Sequence, residues 1–103
     1  MRDKYKLFKF KLDRKNDIIE IGGGEGELCK SLIDLGFKVV LFIEPDINKY
    51  KKATRKLLNV ECLNKNIEII DCKKIKSKSL EVTVIMQDVI EHIKNDSQKI
   101  FFE

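Results

Sequence analysis

The chain has 103 residues, a formal net charge of +4, and 37% charged against 43% hydrophobic residues, the balance of one small folded domain rather than a disordered segment. Its longest uncharged apolar run, Val39 to Ile43, is far too short to span a bilayer, and the N-terminus is charged from Arg2 onward with no apolar secretory core. Cys29, Cys62 and Cys72 have neither the count nor the spacing of a disulfide framework or a zinc site, so reduced thiols, a cytoplasmic setting and no metal are expected.

Residues 1–16 form a basic arm, with seven Lys and Arg against Asp3 and Asp13. Interleaved Tyr5, Phe8 and Phe10 allow contact with nucleic acid by phosphate pairing and stacking. The plainer reading is an amphipathic first element with its lysines in water. Residues 17–103 read as a single domain. Ile18–Ile21 is a short buried strand, followed by a glycine cluster. Gly26–Leu35 has helical spacing, with Leu28, Leu32 and Leu35 on one face and Gly36 as its stop. Phe37–Ile43 is a second strand, rich in β-branched and aromatic residues. Pro45 suits the start of a helix over Asp46–Asn59, with Ile47, Tyr50, Leu57 and Leu58 apolar. Ile67–Ile70 is the expected third strand, Lys73–Lys78 a lysine-rich loop, Val82–Met86 a fourth strand, and Val89–Ile93 the opening of another helix. Alternating strands and helices argue for an α/β domain with a mainly parallel sheet covered by helices.

The glycine cluster carries the functional signal. The run Asp17-Ile18-Ile19-Glu20-Ile21-Gly22-Gly23-Gly24-Glu25-Gly26 joins a strand to a helix through a turn that brings backbone N–H groups close to a nucleotide-like ligand. A dinucleotide fingerprint, G-x-G-x-x-G, fails because Glu27 occupies its sixth position, which disfavours an NAD-dependent oxidoreductase. The pattern is instead acidic-x-G-x-G-x-G, from Glu20 through Gly22, Gly24 and Gly26. In a parallel sheet the ligand sits at the carboxyl ends of the strands. The second strand ends at Glu44, 20 residues after Gly24, where a carboxylate accepts from both ribose hydroxyls. The third ends at Asp71-Cys72, a carboxylate for an adenine amino group and an N–H for a ring nitrogen. The fourth ends at Met86-Gln87-Asp88.

These residues, with Val84-Ile85-Met86-Gln87-Asp88-Val89-Ile90-Glu91-His92-Ile93, resemble the class I S-adenosylmethionine (SAM)-dependent methyltransferases over residues 17 to 95. The resemblance implies a Rossmann-like sheet of about four strands in the order 3-2-1-4. It implies that Gly22, Gly23, Gly24 and Gly26 cradle the methionine part of SAM behind Glu20. Glu44 would hold the ribose, Asp71 and Cys72 the adenine, and Gln87 would lie near the methyl group, with S-adenosylhomocysteine (SAH) as product. The chain departs from the pattern at Glu81, where members usually carry Asp. It also stops after the fourth strand of a normally seven-stranded fold, so it covers the cofactor half. An apolar fourth strand at the sheet edge invites a second copy or a partner chain. Methyl transfer needs no protein nucleophile, so no catalytic residue is assigned. His92 is read as structural, Cys29 and Cys62 as packing residues. Glu25 and Glu27 are read as favouring the helix start, and Asp88 as either facing the ligand or capping a helix. The rival to an enzyme is a non-catalytic cofactor-binding module or regulatory subunit that acts through a partner.

Overall fold

A computed structural model of the chain describes residues 12–66, 69–71, 81–86, 89–94 and 99–101. The elements are β1 (Asp17–Ile21), α1 (Glu27–Asp34), β2 (Val39–Ile43), α2 (Ile47–Lys56), β3 (Glu61–Leu63), β4 (Ile69–Asp71), β5 (Glu81–Met86), β6 (Val89–Lys94) and β7 (Lys99–Phe101). The main sheet runs β3-β2-β1-β5-β6, and its first four strands are parallel. Counted as parallel strands, they stand in the 3-2-1-4 order of a Rossmann-like fold.

The central strand is β1, where all five residues are buried. It registers Ile19 against Leu41 of β2 on one side and Val84 of β5 on the other. Period-two alternation divides the apolar side chains between two faces. Ile18, Val39, Phe42 and Ile85 pack with Cys29 and Leu32 of α1, and with Ala53 and Leu57 around α2. Ile19, Ile21, Leu41, Ile43, Val82 and Val84 form a second buried cluster on the other face. Both described helices thus serve the first face, and among the described residues no helix contributes to the second.

The end of α1 and the start of α2 fall where the sequence sets them. α1 ends in a Schellman cap: Gly36 sits at φ +93° and donates to Ile33 O at 3.0 Å, while the Phe37 N–H donates to Leu32 O at 3.0 Å. Asp46 caps α2, its Oδ1 accepting from the N–H groups of Asn48 at 2.9 Å and Lys49 at 3.1 Å. Pro45 precedes the cap, and the helix ends at Lys56 rather than at Asn59.

Two elements differ from the expectation. The third parallel strand is β3, at Glu61–Leu63, not Ile67–Ile70. Because α2 stops early, the chain turns through Asn59 and is back at the sheet by Glu61, where Leu63 pairs with Ile43. An edge strand of three residues with exposed Glu61 carries little sequence pattern, so the more apolar run downstream draws the assignment. Residues 67 and 68 lie outside the described set, and Ile69–Asp71 pairs antiparallel with β7 in a separate two-stranded sheet. The stretch from Val89 is not a helix either. It forms β6, antiparallel to β5, with Ile85 opposite Ile90 and Met86 opposite Val89. Val89, Ile90 and Ile93 are β-branched and suit a strand. β6 also takes up the hydrogen-bonding edge of β5 that four strands alone would leave open.

Candidate functional site

The carboxyl ends of β1 and β2 meet at the glycine turn. Ile43 O accepts from the Gly22 N–H at 2.8 Å and the Gly23 N–H at 3.3 Å, so the turn is fastened to the last residue of β2. Gly22, Gly24 and Gly26 have φ of +69°, +64° and +86°, a left-handed backbone that side chains disfavour. A Cβ on Gly22 or Gly24 would meet no atom within 4 Å, so this side of the turn is open to a ligand. Gly23 differs: a Cβ there would collide with the Phe42 ring and come 2.8 Å from Glu20 Oε1.

Glu44 is the clamp of the site. It is 5% exposed, its Oε1 accepts from the Gly24 N–H at 2.7 Å, and its Oε2 accepts from the Asp46 N–H at 2.7 Å. One side chain therefore joins the glycine turn of the first βα unit to the helix start of the second. Its backbone is held too. The Glu44 N–H donates to Leu63 O at 3.0 Å, and Asn64 Nδ2 donates to Glu44 O at 2.8 Å and Pro45 O at 2.9 Å.

Glu20 lies behind the turn and is 3% exposed, and its Oε1 has no hydrogen-bond partner among the described residues. Burial, and then the nearby Glu44, push its carboxyl up to about 8, so it holds a proton at neutral pH. In front of the turn, Gly23, Gly24, Glu25, Glu27, Leu28 and Lys49 line an open pocket of 280 Å³. Glycine backbone, two carboxylates and an ammonium thus face one recess.

The structure brings Glu20, Gly22, Gly23, Gly24, Gly26 and Glu44 together around the ends of β1 and β2. Asp71 does not follow the third parallel strand. It ends β4, registered against Lys99 of the small sheet. Cys72 and Gln87 lie outside the described residues. His92, expected near a helix start, stands in β6 opposite Thr83. Among the described residues no cluster of three or more His, Cys, Asp or Glu is placed to hold a metal ion. No helix among them is long and apolar enough to cross a membrane. The sequence reading missed Asn64 and Lys49. Asn64 follows the strand that was misplaced, whereas Lys49 carried a signal in its position three residues after the capping Asp46.

No protein-family model matches the chain, and no curated protein matches it. Among solved structures it resembles a TehB-like SAM-dependent methyltransferase from Corynebacterium glutamicum, with a TM-score of 0.55 and 15% identity. That likeness covers 81% of this chain and 42% of the other, so the chain matches less than half the length of its structural relative. At this identity the likeness is one of fold: a Rossmann-like sheet of the kind found in a SAM-dependent methyltransferase.

Proposed function

We propose that the protein binds SAM at the glycine turn and takes part in methyl transfer to an acceptor. The observation that carries this reading is the open face of Gly22 and Gly24 beside the buried Glu44, at the strand ends of a fold shared with a SAM-dependent methyltransferase. The residues present fit such a cofactor. Left-handed glycines without Cβ atoms give room for close approach, and the buried Glu20 Oε1 is a polar atom that lacks a partner among the described residues. These residues would hold SAM, which when bound would offer a methyl group on a sulfonium for in-line transfer to an acceptor, with SAH as the leaving group. The chain's own part is to hold and orient. Glu44 keeps lone pairs beyond the two amides it accepts from, and these suit ribose hydroxyls. Asp71, Cys72 and Gln87 are assigned to the adenine and methyl ends on family resemblance alone. Free Cys29 and Cys62 support a reducing, cytoplasmic setting.

A second reading is a cofactor-binding module that works through a partner chain or a second copy. It is favoured by a likeness that is one of fold alone, which speaks for a binding site and not for turnover. Because β6 already pairs with β5, such a partner would meet the sheet at β6 rather than at the fourth parallel strand. A thermal-shift series with SAM, SAH, NAD and ATP tests the binding claim common to both readings. SAH at about 100 times its dissociation constant adds roughly 2.7 kcal/mol of stability. A shift with NAD alone would overturn the assignment. Turnover of SAM by the isolated chain separates enzyme from module.

A further inference from the structure

We propose that the exposed face of α2 is a docking ridge for the phosphate backbone of a single-stranded nucleic acid, independent of whether SAM binds. α2 carries Lys49, Lys51, Lys52, Arg55 and Lys56 and no acidic residue after its cap, and all five cations are exposed. The lysine-rich composition of the chain does not account for this. The neighbouring α1 carries Glu27 and Asp34 against Lys30, and Lys30 and Asp34 pair at 3.2 Å.

The arrangement on α2 has a cost in the free protein. Lys51 and Arg55 are four residues apart, as are Lys52 and Lys56, and like charges at that spacing destabilise a helix. Lys49 stands in the first turn, where the helix dipole disfavours a cation. Among the described residues, relief comes from Glu25 alone. Glu25 Oε2 lies 3.9 Å from Lys52 Nζ, and Lys56 Nζ donates to Glu25 O at 3.1 Å. Among the described residues no acidic group pairs with Lys49, Lys51 or Arg55. An extended polyanion along the ridge removes that repulsion.

The geometry suits a nucleic-acid strand. Ten helical residues give a ridge about 15 Å long, enough for several successive phosphates. Lys49 also lines the pocket at the glycine turn, where Glu25 and Glu27 stand, so the phosphate path is confined to α2. An anionic membrane is the poorer fit. Most of the apolar side of α2 is turned inward, with Ala53 fully buried and Leu57 3% exposed beyond its end, and the exposed Ile47 and Leu58 stand at opposite ends of the helix. That leaves no continuous apolar stripe for acyl chains.

Fluorescence anisotropy of the intact chain with a labelled 12-nucleotide oligouridine, from 50 to 200 mM KCl, tests the proposal. Three to four phosphate contacts give a slope of log affinity against log salt of about −2 to −3. Lys51→Glu/Arg55→Glu should weaken binding at least tenfold at 50 mM KCl. The milder Lys51→Gln/Arg55→Gln should flatten the slope by about 1.4. Lys38→Glu, an exposed lysine just before β2 and outside α2, should change affinity less than about twofold. No binding of the oligonucleotide would overturn the ridge, as would an unchanged slope in the Gln variant. A Lys38→Glu effect as large as that of the ridge variants would reduce the matter to net charge and overturn it too. So would binding to phosphatidylserine vesicles that depends on Lys51 and Arg55 while oligonucleotide binding does not. A failure of SAH to bind bears on the pocket and leaves this test intact.

Discussion

Adjacent glycines in the turn serve different ends. At Gly23 the missing Cβ is a packing requirement, because Phe42 and Glu20 Oε1 occupy its space. Gly23→Ala should therefore lower stability by about 1–3 kcal/mol, read by urea denaturation. At Gly24 the space is empty and the demand is on the backbone. Gly24→Ala should cost about 1–2 kcal/mol of left-handed strain and weaken SAH binding at least tenfold by calorimetry. Unchanged affinity would remove the turn from the cofactor site. Glu20 makes a pH prediction. Its carboxyl ionises near 4.5 in the unfolded chain and near 8 in the folded one. Between those values the unfolded chain has lost the proton that the folded chain keeps. Stability therefore falls as pH rises through this window, by up to about 1.4 kcal/mol per pH unit. Glu20→Gln removes that loss, so its melting temperature should pull ahead of the wild type between pH 5 and 8. Parallel curves would place Glu20 in contact with water. The motif reveals an acid at this position but not its proton, which depends on burial by residues distant in sequence.

At the scale of elements, the first two βα units were legible because the end of α1 and the start of α2 are each written in a residue with a local mechanism, whereas the end of α2 at Lys56 is not. Gly36 forms the expected cap, and Asp46 stops and starts the chain where Pro45 leaves it. Asp46→Ala should cost about 1 kcal/mol, the usual loss for an N-cap that accepts from its first turn. β3 and β6 were not legible. Glu61-Cys62-Leu63 is too short for periodicity, and its place is set by pairing with β2. Val89 to Lys94 suits either state locally, and the need of β5 for a neighbour decides for a strand. The displaced third strand also misplaced Asp71 and hid Asn64. Glu44 was recognised as an acceptor for ligand, yet its bonds to Gly24 and Asp46 arise from tertiary structure. Glu44→Gln sets an amide donor against one of two backbone N–H groups. It should destabilise the fold by about 1.5–3 kcal/mol even without ligand, measured by thermal unfolding. A variant as stable as the wild type would mean that the clamp contributes nothing.

Over the whole molecule, stability concentrates at β1, which is paired on both sides and buried along its length. Amides of Ile18 to Ile21 should be the slowest to exchange with deuterium, and those of edge strand β3 should exchange well before them. Uniform protection across the two strands would contradict a fold organised around β1. The division of the core by face, legible as strands apolar on both sides, places both described helices over one face only. The glycine turn stands at the end of this best-held strand, so the proposed ligand site rests on the part of the sheet least able to move.

The Glu44 clamp has a thermodynamic corollary. Each oxygen of that side chain already receives one backbone amide at 2.7 Å. A ligand hydroxyl arriving there shares an atom that the turn itself depends on, and an acceptor shared between two donors holds each less firmly. Recognition and rigidity are thus in local competition at Gly24, while global stability still rises by mass action. The signature is an inversion: on adding SAH, the Gly24 amide exchanges faster as the rest of the sheet exchanges more slowly.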